Sequence, residues 1–372
     1  MRLTSEKISN RQLFFILFMM RTTIVISFLP VLTSADALQD AWASSILSFG
    51  GAGLGVCLIA GLGIRFPHLT GIQYSQKLLG KWGGKAVSLP LVLLFIYIAS
   101  SDVRIYAEAI SIGFLRETPL TFIITVMVIA GTAAARAGIE VIGRAADILF
   151  PLFLLVLVLT LLFPLPDLRA LAVNLEPVLA RGAGPVLRGA VVPTVMIAQY
   201  LVLIMLIPTL TQPRRALATS LWALAGSTFM LTLVAAMVAA ILGPDRGSRS
   251  IFPFFVMVRT LQISEFLERV EILTMFAWGF GLFIGLSVIL LCATWGVAQL
   301  LGVRAYRPLV GPVAVICVVL SVHSYRDIME FRTFFTPPVA APFASVGMLL
   351  PLAILWLAYL GRRMTGWRPG DD

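Results

Sequence analysis

The sequence predicts an all-α integral membrane protein of about ten transmembrane helices. Three observations carry this. The 372 residues are 59% hydrophobic and only 12% charged, with a mean hydropathy of +0.97. Apolar runs of about twenty residues, each long enough to cross a hydrocarbon core of roughly 30 Å as a helix, recur from residue 11 to residue 361. The alternation of apolar and polar residues that marks a membrane β-barrel is absent, which leaves a helical bundle. One transmembrane domain, 1–372, takes the whole chain and leaves no room for a sizeable soluble domain.

The spans are expected at 11–31, 41–64, 86–112, 119–136, 145–164, 186–209, 215–242, 271–301, 307–323 and 341–361. The start, "MRLTSEKISNRQLFFILF", is polar for about ten residues and then enters a full-length span without a small-residue cleavage site. It reads as a first span rather than a cleaved leader. The longest connection, 243–270, holds the apolar piece "IFPFFVMV", which fits a short interfacial or re-entrant helix. The three cysteines, Cys57, Cys292 and Cys317, are far apart inside apolar runs. They suggest neither a disulfide frame nor a metal site, and each reads as a small buried hydrophobe.

The formal net charge of +10 does not point to nucleic acid, because the basic residues sit in short loops. With the N-terminus cytoplasmic, all four lysines (Lys7, Lys77, Lys81, Lys85) fall inside, and sixteen of the 28 basic residues do so against ten outside. The basic bias therefore puts both termini on the cytoplasmic side.

Ten spans divide into five plus five, and an odd number per half makes the second half enter from the opposite side. That geometry permits an inverted repeat, about 11–164 and 186–361. A mid-span weakness falls in each half. In the first span, "RTTIVISFLP", Thr22 and Thr23 can bond backbone carbonyls in place of the ladder. In the sixth, "GAVVPTVMIAQY", Pro193 removes a donor and crowds the turn before it. Freed backbone groups can cradle a small zwitterion; equally, Pro193 can simply kink a packed helix.

The third span carries three charges in "SSDVRIYAEAI". Arg104 and Glu108 are four apart and share a helix face, so they can pair. Asp102 lies roughly 200° round from Arg104 and shares a face with Tyr106 instead. The Arg104–Glu108 pair either pins the third helix to its neighbours or forms an outer gate that rearranges on ligand binding. His68 and His323 are too isolated for a proton relay, and "ERVE" (Glu268, Arg269, Glu271) suits a helix N-terminus. No P-loop, GxSxG, HExxH or CxxC is present, so the chain is not read as an enzyme, and no cofactor or metal is expected.

A set of local patterns resembles the B-subunit permeases of endospore germinant receptors, the GerAB-type spore germination proteins of the amino acid–polyamine–organocation superfamily. The carriers are "ISNRQLFFIL" (8–17), "FLPVL" (28–32), "KLLGKWGGK" (77–85), "DVRIYAEAI" (102–110) and "RETPL" (116–120). They continue with "LEPVLARGAGPVLRG" (175–189), "ERVEILTMFAW" (268–278) and "AQLLGVRAYRPLV" (298–310). They keep family order over nearly the whole chain. The resemblance implies a LeuT-like fold of two inverted five-helix repeats, with helices 1 and 6 broken at mid-membrane. A small ligand would bind there, lined also by the third and eighth helices.

The ligand-site residues so implied are Thr22, Thr23, Val25, Tyr97, Ser101, Pro193, Thr194, Tyr200 and Trp278. Tyr97 and Trp278 could equally be packing residues. Two departures stand out. The family often has a glycine pair where this chain has Thr23 and Val25, and Gly and Glu where it has Tyr200 and Val202. Arg21, within the first span, either snorkels toward water or stands in for a coupling cation.

The implied function is that of a germinant receptor B-subunit in the spore inner membrane. It would bind a small germinant, commonly an amino acid, beside an A-subunit and a lipoprotein C-subunit. The alternatives are an amino acid secondary transporter and a structural membrane subunit whose pocket has decayed. The lipid bilayer is the remaining partner, and no nucleic acid is expected.

Overall fold

Inside a bilayer every backbone N–H and C=O must be paired within its own segment, so apolar runs of this length fold as helices. The computed structural model describes residues 6–162, 172–260 and 270–367, with their side chains except those of 24–32, 34, 244, 270 and 271. The "ERVE" residues Glu268 and Arg269 and the side chains of Glu271 and Val25 lie outside this set.

The first half comprises α1 (Asn10–Ala37), α2 (Ala41–Arg65), α3 (Gly71–Gly113), α4 (Leu120–Ala137) and α5 (Ile139–Leu162). α3 opens with a reciprocal cap between Thr70 and Gln73, which satisfies two N–H groups of its first turn. Its 43 residues bend at Gly80, whose φ of 76° only glycine adopts without strain. The "KLLGKWGGK" loop of the sequence reading is thus mostly helical.

The second half comprises α6 (Ala183–Val195), α7 (Ala216–Arg249), α8 (Pro253–Thr260), α9 (Val270–Leu301), α10 (Arg307–His323), α11 (Ile328–Phe334), α12 (Pro337–Ala344) and α13 (Leu350–Met364). α8 is the short helix expected from "IFPFFVMV". α12 and α13 join through a π-turn at Ser345–Leu349. α10 and α11 meet at a bend of 102°, where the Asp327 carboxylate accepts from the N–H groups of Met329 and Glu330 to start α11 afresh.

Among the described residues, eight helices are long and apolar enough to cross a membrane, nine if the bent α10–α11 pair is one span. The 28-residue α1 stands beside them. Leu54, Ile148 and Leu357 are 69%, 75% and 69% exposed and turn outward, as a lipid-facing surface requires. Cys57 is also exposed, between Leu54 and Leu58 on the outer face of α2, which corrects its reading as a buried residue. A helix that packs on one side only leaves its other apolar residues to lipid. Cys292 and Cys317 are buried as expected.

α9 is central. It packs against α3, α5, α1 and α4, and Ile284 through Leu286, Ser287 through Leu291 and Trp295 are buried within it. α1 lies against α7, α6 and α9. Small residues allow close approach there: a Cβ on Gly281 would fall 1.6 Å from the Thr23 hydroxyl.

The interruption expected in helix 1 is not present, since α1 is helical from Asn10 to Ala37. Thr22 is buried but its hydroxyl bonds no carbonyl, so nothing replaces the ladder at that point. The sixth span does change. α6 ends at Val195, a 3₁₀ stretch follows over Met196–Val202, then one α-turn at Leu203–Leu206 and a second 3₁₀ turn at Ile207–Thr209. Pro193 has no N–H for the carbonyl four residues back, and the Thr194 hydroxyl donates to the Ala190 carbonyl at 2.8 Å. Together they loosen the α ladder just before it tightens.

Candidate ligand cavity

The 3₁₀ stretch matters because it turns a polar side chain toward α3. Gln199 Nε2 donates to Asp102 Oδ2 at 3.2 Å. Both residues are buried and both line a cavity of about 70 Å³. On α3 the lining residues Ile98, Ser101, Asp102 and Ile105 follow helical spacing, with Leu94 and Tyr97 above them. The sixth span adds Val195, Met196, Ala198 and Gln199. α11 and α12 close the space with Phe331, Phe334, Phe335, Ala340, Phe343 and Ala344.

Aromatic rings form one wall. Tyr97, Phe334 and Phe343 contact one another, with centroids 4.7, 5.2 and 5.5 Å apart. The Tyr97 hydroxyl hydrogen-bonds the Tyr325 hydroxyl, which fixes the ring against the α10–α11 bend. The Ser101 hydroxyl, buried beside that pair, has no hydrogen bond of normal geometry.

Arg104 faces elsewhere. Its Nη2 and Nε lie 2.8 and 2.9 Å from Glu108 Oε1, and its Nη1 donates at 3.0 Å to the carbonyls of Ser321 and Val322. Those carbonyls belong to the last turn of α10, where a cation is favoured. Ser321 Oγ donates to the Ser100 carbonyl at 2.9 Å. The ion pair therefore fastens α3 to α10 on the side away from the cavity.

The other expected site residues are not gathered at the cavity. Arg21 is fully buried and does not reach water; its Nη2 donates to the Pro193 carbonyl at 3.0 Å, while Nε and Nη1 have no partner. Pro193 thus joins α6 to α1 through its carbonyl. Thr194 turns to α2, where a Cβ on Gly51 would come within 2.7 Å of its methyl group. Tyr200 is wholly buried, its hydroxyl 3.5 Å from the Leu17 carbonyl of α1. Thr23 and Trp278 come together at a second, smaller cavity of about 20 Å³ with Phe153, Phe254 and Phe255. Trp278 stacks its edge on Tyr106 at 5.0 Å.

Sequence reasoning placed Tyr97, Ser101 and Asp102 on α3 but missed Gln199 and the phenylalanines of α11 and α12. Gln199 had a signal: it is the lone amide in the otherwise apolar "VMIAQYLVLIML". The phenylalanines had none, because the 102° bend that folds α11 back over α3 is tertiary. Among the described residues no group of His, Cys, Asp or Glu could hold a metal ion.

The comparisons with known proteins agree on family and fold. A spore permease family model, described as spore germination protein, matches residues 7–328. Spore germination protein KB of Bacillus subtilis (strain 168) is 27% identical over 323 residues, covering 85% of this chain and 84% of the relative. Spore germination protein YndE of the same organism is 25% identical over 270 residues, 72% and 73% of the two chains. Among solved structures, MhsT in complex with L-phenylalanine superposes with a TM-score of 0.69 at 16% identity, covering 94% of this chain and 90% of that one. Mhp1, a nucleobase-cation-symport-1 family transporter in a closed conformation with bromovinylhydantoin bound, gives 0.72 at 12% identity, covering 93% and 78%. Both carry the LeuT fold. With nearly its whole length matched and its helices arranged in that fold, the chain is an integral membrane protein that belongs to the spore germination protein family.

Proposed function

We propose that this chain is the membrane-embedded B-subunit of a spore germinant receptor. It binds a small germinant, in the amino acid size range, in the cavity between α3, the sixth span and α11–α12. It then passes the change to an A-subunit and a lipoprotein C-subunit in the spore inner membrane, with both termini cytoplasmic and two five-helix repeats, 11–164 and 186–361. The observation that carries this reading is where the cavity lies. One wall is the 3₁₀ stretch of the sixth span and another is the hinged α10–α11–α12 connection. Both interrupt regular α-helix, and breaks of that kind are where hinges and switching elements are commonly found. Arg21 on the Pro193 carbonyl fits a fixed positive charge in place of a coupling cation.

The experiment is deletion of the gene, with dipicolinate release followed in spores exposed to amino acids, amines and nucleosides. The reading expects loss of response to one ligand class, restored by complementation. A second reading, a secondary transporter, draws on the fold shared with MhsT and Mhp1. Net solute uptake into proteoliposomes would favour it over the receptor.

A further inference from the structure

We infer that the cavity takes an organic cation: a small amine with an apolar body, its ammonium met by the Asp102 carboxylate and its carbon chain by the aromatic wall. This rests on the ligand-binding reading above and names the charge of the ligand.

Asp102 is 9% exposed and faces free space. Its one hydrogen bond is from a neutral amide. No Lys, Arg or His lines the cavity among the described residues. Arg104, two positions along, is committed to Glu108 and to two carbonyls of α10. The titratable groups that do face Asp102 are the Tyr97 phenol and the Cys317 thiol, neither of them cationic. A buried carboxylate kept without a counter-charge is costly, and intramembrane acids normally pair. No described cationic side chain supplies that partner here, so a proton or a cationic ligand must.

The remaining walls suit the same ligand. Tyr97, Phe334 and Phe343 form a contacting trio of rings, and an ammonium within about 6 Å of a ring face is attracted by its quadrupole. The Ser101 hydroxyl, beside the Tyr97–Tyr325 pair, can accept one ammonium proton. A zwitterion or an acid fits less well, because its carboxylate would meet hydroxyls and rings but no cation. Space sets the size. At about 10–15 Å³ per water on this measure, 70 Å³ holds about five waters, which is the scale of butylamine.

The test uses the full chain in lipid nanodiscs and titrates butylamine, its neutral counterpart butyramide, its acidic counterpart butyrate, and the zwitterion L-alanine. Butylamine should bind at least tenfold more tightly than butyramide or butyrate. Asp102→Asn should bring that ratio below twofold. Phe334→Leu, which leaves the carboxylate in place, should cost butylamine affinity more than butyramide affinity. The inference is overturned if wild-type protein binds butylamine no better than butyramide, or if Asp102→Asn keeps the tenfold preference. Tight L-alanine binding that ignores Asp102→Asn would also overturn it, while leaving the germinant-binding reading standing. Asp102-dependent amine binding, alongside normal germination of deletion spores, would instead uphold the cation site and remove the receptor reading.

Discussion

Gln199 reaches Asp102 across 3.2 Å, and this bond joins the tightened stretch of the sixth span to the last third of α3. It holds one wall of the cavity against another. An amide donor is suited to this place because it satisfies a carboxylate oxygen without neutralising it.

Replacing Gln199 by Leu keeps the volume and removes the donor. The buried Asp102 oxygen is then left unsatisfied, a loss of about 1–3 kcal/mol. Thermal unfolding of the purified protein should show a lower midpoint for Gln199→Leu. The double variant Gln199→Leu with Asp102→Leu, which removes both polar groups, should recover most of it. A midpoint equal to wild type in the single variant would mean that the bond contributes nothing.

The Arg104–Glu108 pair is half of a larger fastening, since Arg104 also holds two carbonyls of α10. Arg104→Ala strands Glu108 in a low-dielectric setting and should cost about 3–5 kcal/mol. Replacing both partners, Arg104→Met with Glu108→Leu, should restore folding. Spores carrying the double variant then separate two roles. A normal dose–response makes the pair a fastener only, and a shifted threshold makes it part of a gate.

Gly281 sits where α9 meets α1, with the Thr23 hydroxyl 1.6 Å from where a Cβ would stand. Gly281→Ala should destabilise by about 1–3 kcal/mol, the usual range for overpacking. Thr23→Ala in the same chain should relieve part of that loss. Unfolding midpoints of the two single variants and the double variant check the coupling, and simple additivity would show that the helices have room to separate.

The fold was legible because burial in lipid leaves the backbone few options. Runs of about twenty apolar residues became helices, most at nearly the expected bounds, though α3 starts at Gly71 rather than 86, and Pro193 marked the place where the sixth span changes pitch. α1 shows the limit of that logic. Thr22 and Thr23 could have bonded the ladder, but the sequence does not say which way a hydroxyl turns, and Thr22 bonds no carbonyl. The cavity was half legible. Spacing turned Asp102 and Arg104 to different faces of α3, as they stand in the structure. The partners across the cavity depend on the 102° bend at α10–α11 and on a 3₁₀ twist that re-aims Gln199. Neither angle follows from residue periodicity.

Arg21 fills with a fixed charge a place beside the sixth-span carbonyls. Germinant response should therefore be the same in sodium and in potassium at equal ionic strength. Arg21→Met, which leaves the Pro193 carbonyl without its donor, should lower the response at normal protein levels. A tenfold shift of the wild-type dose–response on replacing sodium by potassium would contradict this role.

The central claim is that the germinant occupies the cavity between α3, the sixth span and α11–α12. The most direct measurement fills it. Ala340 is buried at the start of α12 and lines the space, so Ala340→Phe places a ring where the ligand should sit, and Ala340→Val serves as a milder control. Dose–response curves for dipicolinate release would be recorded on spores whose membranes hold wild-type levels of each variant. The account predicts at least a tenfold loss of sensitivity for Ala340→Phe and a smaller one for Ala340→Val. A wild-type curve for Ala340→Phe would place the germinant elsewhere and contradict it.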